Sequence, residues 1–305
     1  VNIEYQNYKQ IVQMISITPN EISSQQVQAY LQGAIGPRPI ALASTVDAQG
    51  TPNLSPFSFF NIFSSNPPVL VFSPARRVRN NTTKHTLENV NEVKEVVINI
   101  VNYNIVEQQS LASTEYPLGI NEFEKSGLTM LKSDTIKPFR VAESPVQFEC
   151  IVTNIVPLGT EGGAGNLVIC EIKKMHICES VLDENGTIDP IKIDLVARMG
   201  GNWYSRAKEG LFEVEKPLIT LGIGVDNIPD FIKKNSIFTG NDLGMLGNIE
   251  KLPNNNDIQH FISSNKNIFH SDSNNKTRLF ELAKSLLDQN KVQQAWVALL
   301  SINNI

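Results

Sequence analysis

The chain has 305 residues, an ordinary globular composition and a formal net charge of −5. That length serves one large domain or two smaller ones, and the acidic balance argues against a general nucleic-acid binder, which needs a basic face for phosphates. The sequence has no long uncharged apolar span, and Val1–Thr18 carries Glu4 and Lys9 where a secretory leader would be apolar, so a cytoplasmic protein without a membrane anchor is expected.

Val1–Gly36 reads as a lead-in, with a short helix over Glu21–Leu31 capped by Asn20. Three β-type runs follow, Ile40–Val46, Pro52–Phe63 and Val69–Ser73. Asp47–Gly50 is a turn between the first two, and Pro67-Pro68 separates the second from the third. The middle run threads Ser55, Ser58, Asn61, Ser64 and Ser65 between Phe57, Phe59, Phe60 and Phe63. A strand that only packs does not need so many hydrogen-bonding groups, whereas one lying against a polar planar ligand does.

Ala75–Asn81 is a basic loop holding Arg76, Arg77 and Arg79. Thr82–Val90 reads as a helix whose first turn holds Lys84 among Thr82, Thr83 and Thr86. A cation there opposes the helix dipole, while free N–H groups point outward. Such a set suits an anion, best a phosphate monoester; solvated Lys84 with capping threonines is the plain alternative.

The strand Glu95–Val101 follows, then surface helices over Ile105–Ser113 and Asn121–Lys125. Val146–Pro157 and Asn166–Cys178 are long β runs joined by the glycine-rich Gly159–Gly165, as in a hairpin. Cys150, Cys170 and Cys178 fall in these apolar runs and read as buried thiols in a reducing compartment. Asp183–Gly186 turns the chain before Leu195–Arg206, where Arg198, Trp203 and Tyr204 flank Gly200-Gly201. A guanidinium and flat rings beside glycines suit a planar, electron-rich ligand; a helix end with a buried Trp is the alternative.

His85, His176, His260 and His270 show no ligand spacing, so no metal site is read, and His176 reads as structural. Neither a Gly-x-Gly-x-x-Gly after a strand nor a Gly-x-Ser-x-Gly is present. Beyond Leu218, the stretches Gly222–Pro229 and Thr239–Gly244 read as loops, and Pro253–Lys276 as an Asn- and Ser-rich linker. Thr277–Ser301 has a helical apolar period that resumes after Asn290. Its plain reading is packing, and its sharper one a cover over a ligand.

GPRPIALASTVD at Gly36–Asp47, NLSPFSFFNIFSSNPP at Asn53–Pro68, KHTLENV at Lys84–Val90 and ARMGGNWY at Ala197–Tyr204 together resemble the flavin reductase-like family of FMN-binding split β-barrels, the group that includes flavoredoxin. The resemblance covers Val27–Pro217 and departs at His85, where the family more often has Asp. It implies a mainly β protein with peripheral helices: a six-stranded Greek-key split barrel over residues 1–217 and a C-terminal extension over 218–305.

It also implies FMN at a homodimer interface. Ser44, Thr45, Ser58, Phe59 and Asn61 would lie along the ribityl chain and ring, and Lys84 and Thr86, with an Arg from 76–79, would hold the phosphate. Arg198 and Tyr204 would close the ring side. The implied activity is NAD(P)H-dependent flavin reduction, hydride passing from NADH or NADPH to the flavin N5 and electrons on to an acceptor or a partner oxygenase. No acid–base residue is strictly required for that chemistry. A non-enzymatic FMN-binding electron carrier is the alternative.

Overall fold

The computed structural model describes residues 14–217, 221–269 and 275–304. Its contacts divide the chain into Ile15–Phe212 and a second unit that contains Glu213–Ile305.

The larger unit is built on a seven-stranded antiparallel sheet. Its strands are β1 (Ala41–Val46), β2 (Pro52–Phe57), β3 (Phe60–Ser65), β4 (Pro68–Phe72) and β5 (Glu95–Ile100), with the long β8 (Val146–Pro157) and β9 (Asn166–Ile177). Two short pairs lie outside it, β6 (Met130–Leu131) with β7 (Arg140–Val141) and β10 (Val196–Arg198) with β11 (Tyr204–Arg206). Helices α1 (Ser24–Ala34), α2 (His85–Glu92), α3 (Val106–Leu111), α4 (Glu122–Ser126) and α5 (Pro190–Ile193) complete the unit.

The sheet order is β2-β1-β5-β8-β9-β4-β3. β1 is buried along its whole length, as a strand covered on both faces must be. Ala41 and Ala43 face a core with Phe57, Phe72, Val90 and Ile98, while Ile40 and Leu42 face a second core with Leu54 and Phe123.

The expected single run Pro52–Phe63 is two strands. They sit at opposite edges of the sheet although only Ser58 and Phe59 separate them. Two residues span only about 7 Å, so the sheet must roll until its edges meet there. The Phe57 and Phe72 rings lie 5.4 Å apart and the Ser73 N–H donates to the Phe59 carbonyl at 2.8 Å, closing that corner. β2 and β3 share no ladder, so this is an open seven-stranded split barrel rather than a closed six-stranded one.

The second unit holds α6 (Asp230–Lys233), α7 (Gly240–Gly247), α8 (Asn255–Ser264), α9 (Lys266–Phe269), α10 (Asn275–Asp288) and α11 (Val292–Ser301). Of the two expected loops, Gly222–Pro229 is irregular apart from the 3-10 turn Val225–Asn227, whereas α7 takes most of Thr239–Gly244, and helices replace most of the expected linker Pro253–Lys276; residues 270–274 and 218–220 lie outside the described ones. Capping boxes start α7 at Thr239 with Asp242 and α8 at Asn254 with Asp257. The expected long C-terminal helix breaks at Asn290, whose φ of 59° is left-handed, a conformation asparagine tolerates.

Trp296 is fully buried between these helices, with Nε1 donating to the Leu246 carbonyl at 3.0 Å. Trp296→Phe removes that bond and leaves the carbonyl unpaired. It should lower stability by about 1–2 kcal/mol in urea denaturation followed by circular dichroism. Among the described residues, no helix is long and apolar enough to cross a membrane.

Candidate functional site

Lys84 is not inside the helix, as the sequence reading had it, but is the N-cap of α2. Its backbone is extended, and its carbonyl accepts from the Leu87 N–H at 2.9 Å. Its side chain caps nothing, so the ammonium is free to reach away from the helix and lies 5.5 Å from the centre of the Phe57 ring. Lys84 is half-buried and, among the described residues, forms no ion pair. Burial first, then the neighbouring Arg77 charge, lowers its pKa, and the Glu115 carboxylate opposes them.

Two hollows share Lys84, Arg77 and Glu115 in their linings. One is a small polar recess lined by Asn53, Ser55, His85, Thr86 and Glu122 with Lys84. The other is a cleft of about 700 Å³. Val27 and Leu31 of α1, the exposed Phe59 ring, Val78, Arg79 and Lys84 are among its walls. The cleft's lining therefore combines apolar residues with the basic Arg76, Arg77, Arg79 and Lys84 and one carboxylate, Glu115.

The basic loop is held by its own bonds. Glu115 accepts from Arg77 Nε at 3.0 Å and from Arg79 Nη2 at 2.6 Å. Burial works to raise the Glu115 carboxyl, but these bonds and the nearby cations outweigh it and the net shift is downward. Arg76 donates from Nε to the Asn81 side chain at 2.6 Å. The hairpin between β8 and β9 comes so close that a Cβ on Gly162 would lie 3.0 Å from the Val78 carbonyl. Gly163 donates to the Arg76 carbonyl at 3.0 Å, and Arg76 to that of Ala164 at 2.8 Å. Three arginines are thus committed to the loop or to Glu115, and Lys84 is left with its charge unpaired.

The other sequence-predicted residues are spread around this centre. Thr86 is buried, and its Oγ1 accepts from Asn53 Nδ2 at 2.9 Å. Asn89 Nδ2 donates to Thr45 Oγ1 at 3.1 Å, so Thr45, Asn53, Thr86 and Asn89 form one polar cluster inside the barrel. Ser44 is also fully buried, but adjacent strand residues point to opposite faces. Its hydroxyl lies on the side away from Thr45 and, among the described residues, has no hydrogen-bond partner.

Ser58 is half-buried at the corner between β2 and β3, and Asn61 is exposed on β3, where its side chain accepts from the Ile62 N–H at 2.8 Å. Arg198 and Tyr204 stack at 4.6 Å across the β10–β11 hairpin and line neither hollow. Trp203 is 78% exposed, which rules out the buried-Trp alternative.

Sequence reasoning expected a helix where α1 lies but did not place it, Asn53, Glu115 or Glu122 at the site. Glu122 is buried at the start of α4 and accepts from the Leu54 N–H at 3.1 Å. Burial raises its carboxyl above the ordinary value, with that bond opposing. These four become visible only when the sheet brings distant segments together.

His176 is not isolated: its Nε2 lies 2.8 Å from Glu149 Oε1, and Asp134 completes a set of metal-type ligand atoms within 4.8 Å. Arg140 and Lys174 already pair with these carboxylates, so the set reads as an ion-pair network. Cys150 and Cys170 are buried, while Cys178 is exposed, contrary to the sequence reading.

Comparison with known proteins agrees with this architecture. Residues 35–193, more than half of the chain, match the family described as flavin reductase like domain. An uncharacterised protein of Aquifex aeolicus is 37% identical over 175 residues, which is 57% of this chain and 87% of that one. Nitrilotriacetate monooxygenase component B from Bacillus cereus is 29% identical with a TM-score of 0.62, covering 66% of this chain and 99% of that one. The 2-nitrobenzoate 2-nitroreductase of Pseudomonas fluorescens is 27% identical with a TM-score of 0.58, covering 67% and 98%. With the matched residues spanning the large antiparallel sheet and Lys84 at the start of α2, the chain belongs to the flavin reductase-like family.

Proposed function

We propose that this protein is an NAD(P)H-dependent flavin oxidoreductase that binds FMN in the cleft, with the phosphate at Lys84. The observation that carries the reading is the unpaired, half-buried Lys84 ammonium at the junction of an aromatic-walled cleft and a polar recess. Burying a cation without a partner is unfavourable, and a bound anion removes the cost. The cleft, at about 700 Å³, has room for a mononucleotide of this size and falls within the usual range for small-molecule sites.

When bound, the flavin supplies the redox chemistry, accepting a hydride equivalent at N5 and passing electrons on. The protein's part is to hold and to shield. Lys84 and the hydroxyl side of the recess fix the anionic tail, Phe59 offers a flat apolar wall, and Val27 and Leu31 keep water from that wall. Holding two rings in register is catalysis by positioning. Ser58, Asn61 and Arg198 complete the site in the homodimer, where exposed Ile62 and Phe63 on the edge strand β3 are available for burial. The monooxygenase-component relative supports delivery of electrons to a partner oxygenase.

The test is anaerobic addition of NADH or NADPH to the FMN-loaded protein while its visible absorbance is followed. Rapid bleaching is expected. Bleaching that waits for a second, electron-donating protein would make this an electron carrier instead.

A further inference from the structure

We propose that Arg38 is the positioning residue that fixes α1 as a wall of the cleft, by tying the C-terminus of that helix to the turn between β10 and β11. The proposal rests on reading the cleft as the flavin site.

The helix needs such a tie. None of its residues is buried, although Val27 and Leu31 line the cleft. A free helix of eleven residues is marginal in water. Its capping box at Ser23 and Gln26 acts only within the helix.

At the other end, the Arg38 guanidinium donates from Nη1 to the Gln32 carbonyl at 2.6 Å and to the Ile35 carbonyl. These are carbonyls that a helix end leaves without partners, and a cation is favourable beside them. Nη2 donates to the Met199 carbonyl at 2.9 Å, in the β10–β11 turn. The backbones of Arg38 and Arg198 exchange two further bonds, at 3.0 and 2.8 Å.

Packing alone does not explain an arginine here. Arg38 is 7% exposed and, among the described residues, has no carboxylate partner. A buried cation held only by carbonyls is retained for the directions of its bonds.

The same junction is marked by a close backbone approach: a Cβ on Gly200 would lie 3.2 Å from the Gly33 Cα. The turn also orders Arg198, whose Nη2 donates to the Gly201 carbonyl at 2.8 Å. One side chain thus links the hairpin carrying Arg198 to the helix that lines the cleft together with Phe59.

Hydrogen exchange and FMN titration of the full chain test this in the wild type, Arg38→Met and Arg38→Lys. Arg38→Met should lose amide protection over residues 24–34 while β5 and β8 keep theirs. Its Kd for FMN should rise about tenfold, as expected when a wall of a preorganised site is released. Arg38→Lys, which can satisfy some of the carbonyls, should recover part of both. Gly200→Val pushes the helix from the same turn without touching the guanidinium, should show the same pattern, and decides the matter if Arg38→Met does not fold.

Normal α1 protection in these variants overturns the proposal, as does lost protection with unchanged FMN affinity. Absence of FMN binding by the wild type overturns the flavin reading instead. The exchange measurement then still decides whether Arg38 holds α1.

Discussion

Lys84→Ala is expected to weaken FMN binding by about 1–3 kcal/mol, roughly 5- to 150-fold in Kd, while riboflavin binding changes little. The difference between the two ligands is the phosphate, so the comparison isolates the contact. Arg77 and Arg79 cannot replace the lost charge without breaking their bonds to Glu115. The apo protein should not suffer in stability, because the half-buried ammonium is unpaired and burial lowers its pKa. For a lysine that direction means the charged form is disfavoured on folding, a penalty that fades as pH rises through the lowered pKa.

A bound phosphate reverses the preference, since it stabilises the ammonium. FMN affinity should therefore fall as the pH is raised through that lowered pKa, and the fall should be absent in Lys84→Ala. Equal losses for FMN and riboflavin, measured by fluorescence quenching, would place the phosphate elsewhere.

The strands were legible because β1 and β5, and the first halves of β8 and β9, are largely buried and carry the apolar runs such strands need. The break at Ser58–Phe59 was not, because nothing local distinguishes one long strand from two that lie at opposite edges of a rolled sheet. α7 and α8 hid inside polar sequence, yet Thr239-x-x-Asp242 and Asn254-x-x-Asp257 carry the capping pattern that marks their starts.

In the site, Lys84 stood out as a cation among hydroxyls in a helix's first turn, although it is the N-cap of that helix. What its isolation means was not legible, because that depends on Glu115 taking both arginines from 36 and 38 positions away. Arg38 stood in the Gly36–Asp47 motif, but its partners at Gln32 and Met199 come from both ends of the larger unit. The family resemblance puts Ser44 and Thr45 together along the ribityl chain. Strand alternation divides them between two faces, so only Thr45 joins the cluster beneath the recess.

Glu149 should contribute about 3–4 kcal/mol to folding at neutral pH, and Glu149→Gln should lose most of it. The carboxylate is fully buried in β8 and gathers the loop before β7: Oε1 accepts from the Asp134 N–H at 2.8 Å, and Oε2 from the Thr135 N–H at 2.7 Å and the Thr135 hydroxyl. His176 Nε2 is 2.8 Å away, and Arg140 Nε lies at 3.8 Å. Burial is the largest single influence on the carboxyl and raises its pKa, but these donors together outweigh it and bring it from 4.5 to about 2.

The difference, 4.5 minus 2, is about 2.5 pKa units at ~1.4 kcal/mol each, which gives the figure above. A carboxyl depressed on folding adds stability that is fully present above its unfolded value of about 4.5 and is lost as pH falls toward 2. Urea titrations at several pH values should therefore show wild type and Glu149→Gln well separated at pH ~7 and converging toward pH ~2. Glu149→Ala should cost more, about 3–5 kcal/mol, because it also strands the donors. A gap between wild type and Glu149→Gln that stays constant across the acid range would mean that shape, and not charge, holds the loop to the sheet.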